Sequence, residues 1–222
     1  MAERRPSKQI DALPETPTVL VIDDDPEVRD ALSSLFRSVG LDSRLFASTA
    51  EFLQHKLPEA PCCIVLDIRL PGVGGLDFQA QLTRANIHVP VVMITGHGDI
   101  PMSVRAMKAG AVDFLTKPFR QQDVLDAVAQ AIERDGKRRD SEKSLAELRG
   151  LFESLTTRER EIMTLVTTGL MNKQVAAEIG LSEITVKIHR GHIMRKMGVR
   201  SLADLVRAAE ALELHQTKTS TP

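Results

Sequence analysis

The 222-residue chain carries 29 Lys+Arg against 30 Asp+Glu and two cysteines, a length that holds one or two domains, each able to bury its own core. No run approaches the roughly 20 apolar residues of a membrane span, and the opening MAERRPSKQIDALPETP lacks the apolar middle of a secretory signal. A membrane protein and a disulfide-stapled secreted domain are thereby disfavoured, and a cytoplasmic location is expected. The near-neutral total hides an uneven spread: residues 17–134 hold 11 Lys+Arg against 15 Asp+Glu, whereas residues 145–222 hold 11 against 9. An acidic half and a basic half suggest two jobs, with the basic half a candidate for nucleic acid.

Residues 1–16 combine six charges with no periodicity, which predicts a mobile tail. From Thr18 the pattern changes. Val19-Leu20-Val21-Ile22, Cys62 to Leu66 and Val91-Val92-Met93-Ile94 are short apolar runs rich in β-branched residues, as suits strands buried on both faces of a parallel sheet. Ser43 to Phe46 and Val112 to Leu115 are weaker strands. Helical spacing lies between them: Val28, Leu32, Leu35, Phe36 and Val39; Phe52 and Leu53; Leu76, Phe78 and Leu82; Val104 and Met107; Val124, Leu125, Val128 and Ile132. Five strands alternating with five helices over 17–134 predict a small doubly wound α/β domain. Cys62 and Cys63, adjacent in a strand, point to opposite faces and serve as small core residues.

Residues 135–144, DGKRRDSEKS, contain no apolar residue and predict a charged surface linker. It continues as helix through Leu145, Leu148, Phe152 and Leu155 to give a helical linker over 135–154, weakened at Gly136 and Gly150. Beyond it no strand signal remains. Thr156 caps a helix with Ile162, Leu165 and Val166 that Gly169 ends; a second runs from Asn172 to Ile179 and stops at Gly180; a third, capped by Ser182, runs to Met197; a fourth begins at Ser201. Two helices joined through Gly180 make a helix-turn-helix, so 155–214 reads as a separate all-helical domain, followed by a short tail over 215–222.

In a parallel sheet the strand ends share one edge, and ligands bind outside it. That edge receives Asp23, Asp24 and Asp25, then Asp67, Thr95 and Lys117. Carboxylates gathered there repel one another unless a cation joins them, and hard oxygen donors suit Mg²⁺ (or Mn²⁺). Asp67 then becomes a nucleophile able to form an aspartyl-phosphate, with the Thr95 hydroxyl and the Lys117 ammonium as partners for phosphate oxygens. Asp25 is expected only to cap a helix, and His97 to belong to a loop between Gly96 and Gly98.

The segments VLVIDDDPEVR, VLDIRLPGVGG, VVMITGHGD and DFLTKPF, in this order and spacing, resemble the receiver domain of bacterial response regulators. The resemblance implies that Asp23 and Asp24 hold the metal with Asp67 as phosphoacceptor, that Arg69 adds a backbone carbonyl ligand, and that Lys117-Pro118 is cis. It implies Thr95 and Phe114 as the switch pair, with phenylalanine where the family often has tyrosine. The stretch TGHGDIPMSVRAMKAGAVDFLTKPF is similar to the FixJ-like branch. That branch implies a cognate sensor histidine kinase as phosphodonor, and a homodimer formed on phosphorylation through Val104, Met107, Lys108 and Val112. A phosphatase using Asp67 as nucleophile is disfavoured, because such enzymes want a carboxylate two residues on, where this chain has Arg69. No enzymatic turnover is expected beyond self-phosphotransfer and slow autodephosphorylation.

In the basic half, Ser182 to Arg200 contains five Lys+Arg and one acid, Glu183. Helical geometry puts Val186, His189, Ile193 and Met197 on one face and Lys187, Gly191, Met194 and Arg195 on the other, flanked by Ile188 and Arg190. The first face packs inward, with His189 expected as a buried, hydrogen-bonded histidine and not a ligand, and the second suits the major groove of double-stranded promoter DNA. Residues 155–206 resemble the LuxR-type helix-turn-helix. By that resemblance Lys187, Ile188 and Gly191 face bases; Arg190, Arg195 and Lys196 touch phosphate or flanking groups; and Asn172, Lys173 and Thr185 are candidate backbone contacts. RNA polymerase is a further expected partner. Two other readings stay open: a DNA-binding regulator whose first domain only dimerises, and an aspartyl-phosphate enzyme with turnover.

Overall fold

The computed structural model describes residues 16–96 and 99–214, so the tails expected over 1–16 and 215–222, Thr16 apart, and the loop role of His97 and Gly98 lie outside the described residues. The chain divides into two units between Arg139 and Asp140.

The first unit alternates β1 (Thr18–Ile22), α1 (Pro26–Ser38), β2 (Asp42–Phe46), α2 (Thr49–Leu53), β3 (Cys62–Asp67), α3 (Gly75–Arg84), β4 (Val91–Thr95), α4 (Ile100–Lys108), β5 (Asp113–Thr116) and the first part of α5 (Gln121–Glu153), whose residues after Arg139 belong to the second unit. All pairings are parallel, in the order β2-β1-β3-β4-β5. The strand side chains alternate between two cores, as a period of two requires. Leu20, Ile22, Cys62, Ile64, Leu66 and Met93 meet Phe52, Phe78, Leu82 and Ala106 on one face. Val19, Val21, Cys63, Val65, Val92 and Ile94 meet Leu32, Phe36, Val124 and Val128 on the other. The adjacent cysteines are free, sit on opposite faces, and have thiol pKa values raised by burial.

The charged run after residue 134 departs from the expectation of a solvated linker. Helix α5 passes through Gly136 and Gly150 without interruption, and Asp135 continues its buried stripe of Val124, Ala127, Val128 and Ala131. Its carboxylate accepts the Cys62 N–H at 2.9 Å, Arg138 at 2.7 Å and Arg139 at 2.6 Å. Arg139 in turn donates to the carbonyls of Glu59 and Pro58. A backbone donor at the start of a central strand needs an acceptor when buried, and Asp135 supplies it from 73 residues away. Composition alone cannot reveal this, because a charge run and a buried ion cluster have the same composition.

The second unit packs α6 (Thr157–Thr167), α7 (Asn172–Ile179), α8 (Glu183–Lys196) and α9 (Leu202–Ala211) around Leu155, Ile162, Met163, Val166, Val175, Val186, Ile193, Met197 and Leu205. Three of the four starts have a polar cap. Thr156 and Glu159 form a reciprocal capping box, Ser182 accepts from the Thr185 N–H, and Ser201 pairs with Asp204 in a second box. Gly180, at φ 68°, turns the chain between α7 and α8 in a left-handed conformation that a side chain would strain.

Replacing Asp135 by Ala leaves the Cys62 N–H and two guanidinium groups without their anion, and should cost about 2–4 kcal/mol of stability in the first unit. A chemical-denaturation midpoint equal to wild type would return this run to the role of solvated linker.

Candidate functional site

Four strand ends build the acidic pocket. Asp67 is the last residue of β3, Thr95 the last of β4, Asp23 follows β1, and Lys117 follows β5. Asp23 and Thr95 are fully buried, Asp67 is 6 % exposed, and Asp24 is exposed. Lys117 Nζ donates to Asp23 Oδ2 and to Asp67 Oδ2, each at 2.7 Å. The other oxygens accept backbone N–H groups two residues on: Asp25 N to Asp23 Oδ1 and Arg69 N to Asp67 Oδ1, both at 2.9 Å. Arg29 donates to the Asp23 carbonyl at 2.6 Å, and Lys117 N donates to the Thr95 carbonyl at 2.7 Å. The Lys117-Pro118 bond is cis, in agreement with the sequence reading. Asp25 caps α1 by accepting from Glu27, the role expected of it.

Burial raises the Asp23 carboxyl above its ordinary range, against the opposing pull of Lys117 and the Asp25 N–H. Burial acts on Lys117 in the opposite sense, but its hydrogen bonds to both aspartates win and its pKa is raised. A firmly protonated ammonium between two carboxylates relieves their repulsion, and the donor set fits a hard cation. Asp23, Asp24 and Asp67 each offer an oxygen, and these atoms lie within 4.8 Å of one another, an all-oxygen arrangement compatible with Mg²⁺. Phe114 is half-buried on the core and is paired in register with Met93. Arg69 is exposed.

On α4, Val104 and Met107 are 44 % and 46 % exposed, and Lys108 is exposed as well. Val112 is half-buried and packs with the cluster on the α1 and α5 side of the sheet, so the structure groups only the first three of these residues on one helix face.

On α8, Val186 and Ile193 are buried while Lys187, Ile188, Gly191 and Arg195 are exposed, so the inward and outward faces fall where helical spacing puts them. Met194 is an exception: it is half-buried against the core, not presented outward. His189 is another, being half-buried with its Nδ1 lacking a hydrogen-bond partner among the described residues. Four expected DNA contacts, Arg190, Asn172, Lys196 and Thr185, already have protein partners. The Arg190 guanidinium donates to Asn172 Oδ1 at 2.5 Å, Lys196 Nζ to Glu159 Oε2 at 2.7 Å, and the Thr185 hydroxyl lies 2.7 Å from that of Ser182. Lys173 is exposed.

The comparisons with known proteins agree on both units. Residues 19–129 match the response regulator receiver domain, and residues 153–209 match the bacterial regulatory proteins of the luxR family. Nodulation protein W of Bradyrhizobium diazoefficiens is 59% identical over 201 residues, covering 90% of this chain and 88% of that protein. The chain belongs to the response regulators. The transcriptional regulatory protein FixJ of Azorhizobium caulinodans is 38% identical over 210 residues, 95% of this chain and 100% of that one, which supports the FixJ-like branch. The solved structure of the response regulator StyR matches with 50% identity and a TM-score of 0.78, covering 88% of this chain and 98% of that one.

Two further residues shape this response regulator. Gly75 opens α3 directly under the phosphoacceptor candidate: a Cβ there would lie 2.7 Å from the Asp67 carbonyl and 2.8 Å from Ile68 Cα. Its signal was the second glycine of Gly74-Gly75, readable only once the helix is known to press on β3. Ile184, 74 % exposed one turn before Ile188, extends the outward face of α8 with apolar surface of a kind that contacts thymine methyl groups.

Gly75→Ala should overpack this contact and destabilise the receiver by about 1–3 kcal/mol, measured as a lower midpoint of thermal unfolding. In the DNA-binding unit, Glu159 is 3 % exposed. Burial favours its protonated form, but bonds from Lys196 and from the Thr156 N–H and hydroxyl outweigh it and hold the carboxyl at about 2 against an ordinary 4.5. A lowered folded-state value gives stability that is present above pH 4.5 and lost as pH falls towards 2. Glu159→Gln should flatten that acid-side loss in urea titrations compared between pH 5 and pH 3.

Proposed function

We propose that this response regulator takes a phosphoryl group onto Asp67 from a sensor histidine kinase and answers by binding promoter DNA. The observation that carries the reading is the double contact of Lys117 with Asp23 and Asp67 at the sheet edge, beside a third carboxylate. Asp67 Oδ2 attacks phosphorus as the donor's phosphorus–nitrogen bond breaks, and Lys117 exchanges a carboxylate partner for a phosphoryl oxygen. Asp23, Asp24 and Asp67, with the Arg69 carbonyl, would hold Mg²⁺ or Mn²⁺, which when bound neutralises charge on the transferring group. Arg69 stands two residues after Asp67, the position at which an aspartate-nucleophile phosphatase carries its acid/base carboxylate. Turnover is confined to slow autodephosphorylation, so the phosphoryl group acts as a signal.

Thr95, drawn towards the new phosphoryl oxygens, and Phe114, its neighbouring reader, favour an active state in which the exposed Val104, Met107 and Lys108 of α4 pair two chains. Val112 joins them only if β5 shifts with Phe114. Phosphate moves this equilibrium by its differential stabilisation of the active state. A dimer presents two copies of α8 to two half-sites, with Lys187, Ile188 and Gly191 towards bases and Arg195 and Lys173 towards phosphates. Arg190, Asn172, Thr185 and Lys196 act mainly through the protein partners they already have. Among the described residues no helix is long and apolar enough to cross a membrane, and we assign the protein to the cytoplasm, where RNA polymerase is the downstream partner.

Treatment with acetyl phosphate and Mg²⁺ should raise the dimer fraction of wild type and leave Asp67→Asn unchanged; equal dimer fractions would sink the coupling. On promoter DNA, Lys187→Ala should weaken specific binding by about 1–3 kcal/mol, while Arg195→Ala should lower affinity on all sequences and reduce the salt slope by about 1. If neither substitution altered binding, α8 would be excluded from the groove.

A further inference from the structure

A second set of metal-ligand side chains lies in the DNA-binding unit, away from the acidic pocket. Glu159 of α6 and His189 and His192 of α8 each offer a ligand atom, and these atoms lie within 4.8 Å of one another. The two histidines are three residues apart, so they share a face of α8. Glu159 divides its oxygens: Oε2 accepts from Lys196 and Thr156, while Oε1 faces His192 Nδ1 at 4.0 Å. His189 Nδ1 is buried without a hydrogen-bond partner among the described residues. A buried polar atom without a partner is costly and calls for a water or an ion in its place.

We propose that Glu159, His189 and His192 form a binding site for a first-row divalent metal ion, Zn²⁺ foremost, which ties α6 to the DNA-reading helix α8. Two imidazoles and one carboxylate are a known three-ligand set for Zn²⁺, with the fourth position left to water. Imidazole nitrogens suit Zn²⁺ and do not suit Mg²⁺, so this site and the carboxylate pocket select different ions. Bonds of about 2.0–2.2 Å put tetrahedral donors roughly 3.3 Å apart, closer than the present His192 to Glu159 separation of 4.0 Å. His192 is exposed and has the rotamer freedom to close that gap. Glu159 is already ionised at neutral pH, and Lys196 keeps Oε2 while the ion takes Oε1. Cys62 and Cys63 are buried in the other unit and offer no competing thiolate at the surface.

The full-length protein, in buffer with excess Mg²⁺ to occupy the carboxylate pocket, would be titrated with Zn²⁺ by calorimetry and with Co²⁺ as an optical probe. One equivalent should bind, and the Co²⁺ complex should show the visible absorption of a low-coordinate nitrogen and oxygen site. His192→Asn, at an exposed position that leaves the core intact, should weaken binding by at least about tenfold. It should also abolish the Co²⁺ spectrum and remove the rise in unfolding midpoint that Zn²⁺ gives wild type. His189→Gln should weaken binding in the same way. Absence of saturable binding would overturn the proposal, as would binding that both variants retain in full, since the ion would then sit on another histidine or among the carboxylates.

Discussion

Two buried carboxylates sharing one ammonium are the constraint on which the first unit turns. Asp23 and Asp67 cannot both sit at the closed end of a parallel sheet without a cation, and Lys117 is that cation at 2.7 Å from each. The parallel topology makes this possible, because it delivers the ends of β1, β3, β4 and β5 to one edge. It also makes the site responsive. Any group that adds negative charge at Asp67 must compete for Lys117, and the residues that hold Lys117 in place, Thr95 through its carbonyl and Asp23 through its side chain, then feel the change.

The second unit has its own ionic keystone. Glu159 caps the N-terminus of α6, anchors Lys196 of α8, and turns its remaining oxygen towards His192. One buried carboxylate thus links α6 to the helix that presents Lys187 and Arg195. A small helical unit with a modest core gains much from such a link, since removing one partner of a buried pair strands the other's charge.

Much of this was legible in the sequence because its signals are local. Continuous apolar runs marked β1, β3 and β4; Ser182, Ser201 and Thr156 marked helix starts; and Asp67, Lys117 and Pro118 stood at strand ends in a family's spacing. What was not legible depended on contacts distant in sequence. Asp135 looked like part of a solvated charge run until its bond to Cys62 was seen. Gly75 gains its meaning from the closeness of the Asp67 backbone. Helical spacing points Met194 outward and His189 to a hydrogen-bonded core position, but the neighbouring helices of the unit half-bury the first and, among the described residues, leave the second's Nδ1 without a partner.

The proposed phosphoacceptor is Asp67. Its most direct test is peptide-level mass mapping of the full-length protein after incubation with acetyl phosphate and Mg²⁺, with a parallel sample in excess chelator. The mass of one phosphoryl group is expected on the peptide containing Asp67, absent in the chelated sample and absent in Asp67→Asn. A phosphoryl group found on another residue, or a gain unaffected by the substitution, would contradict it.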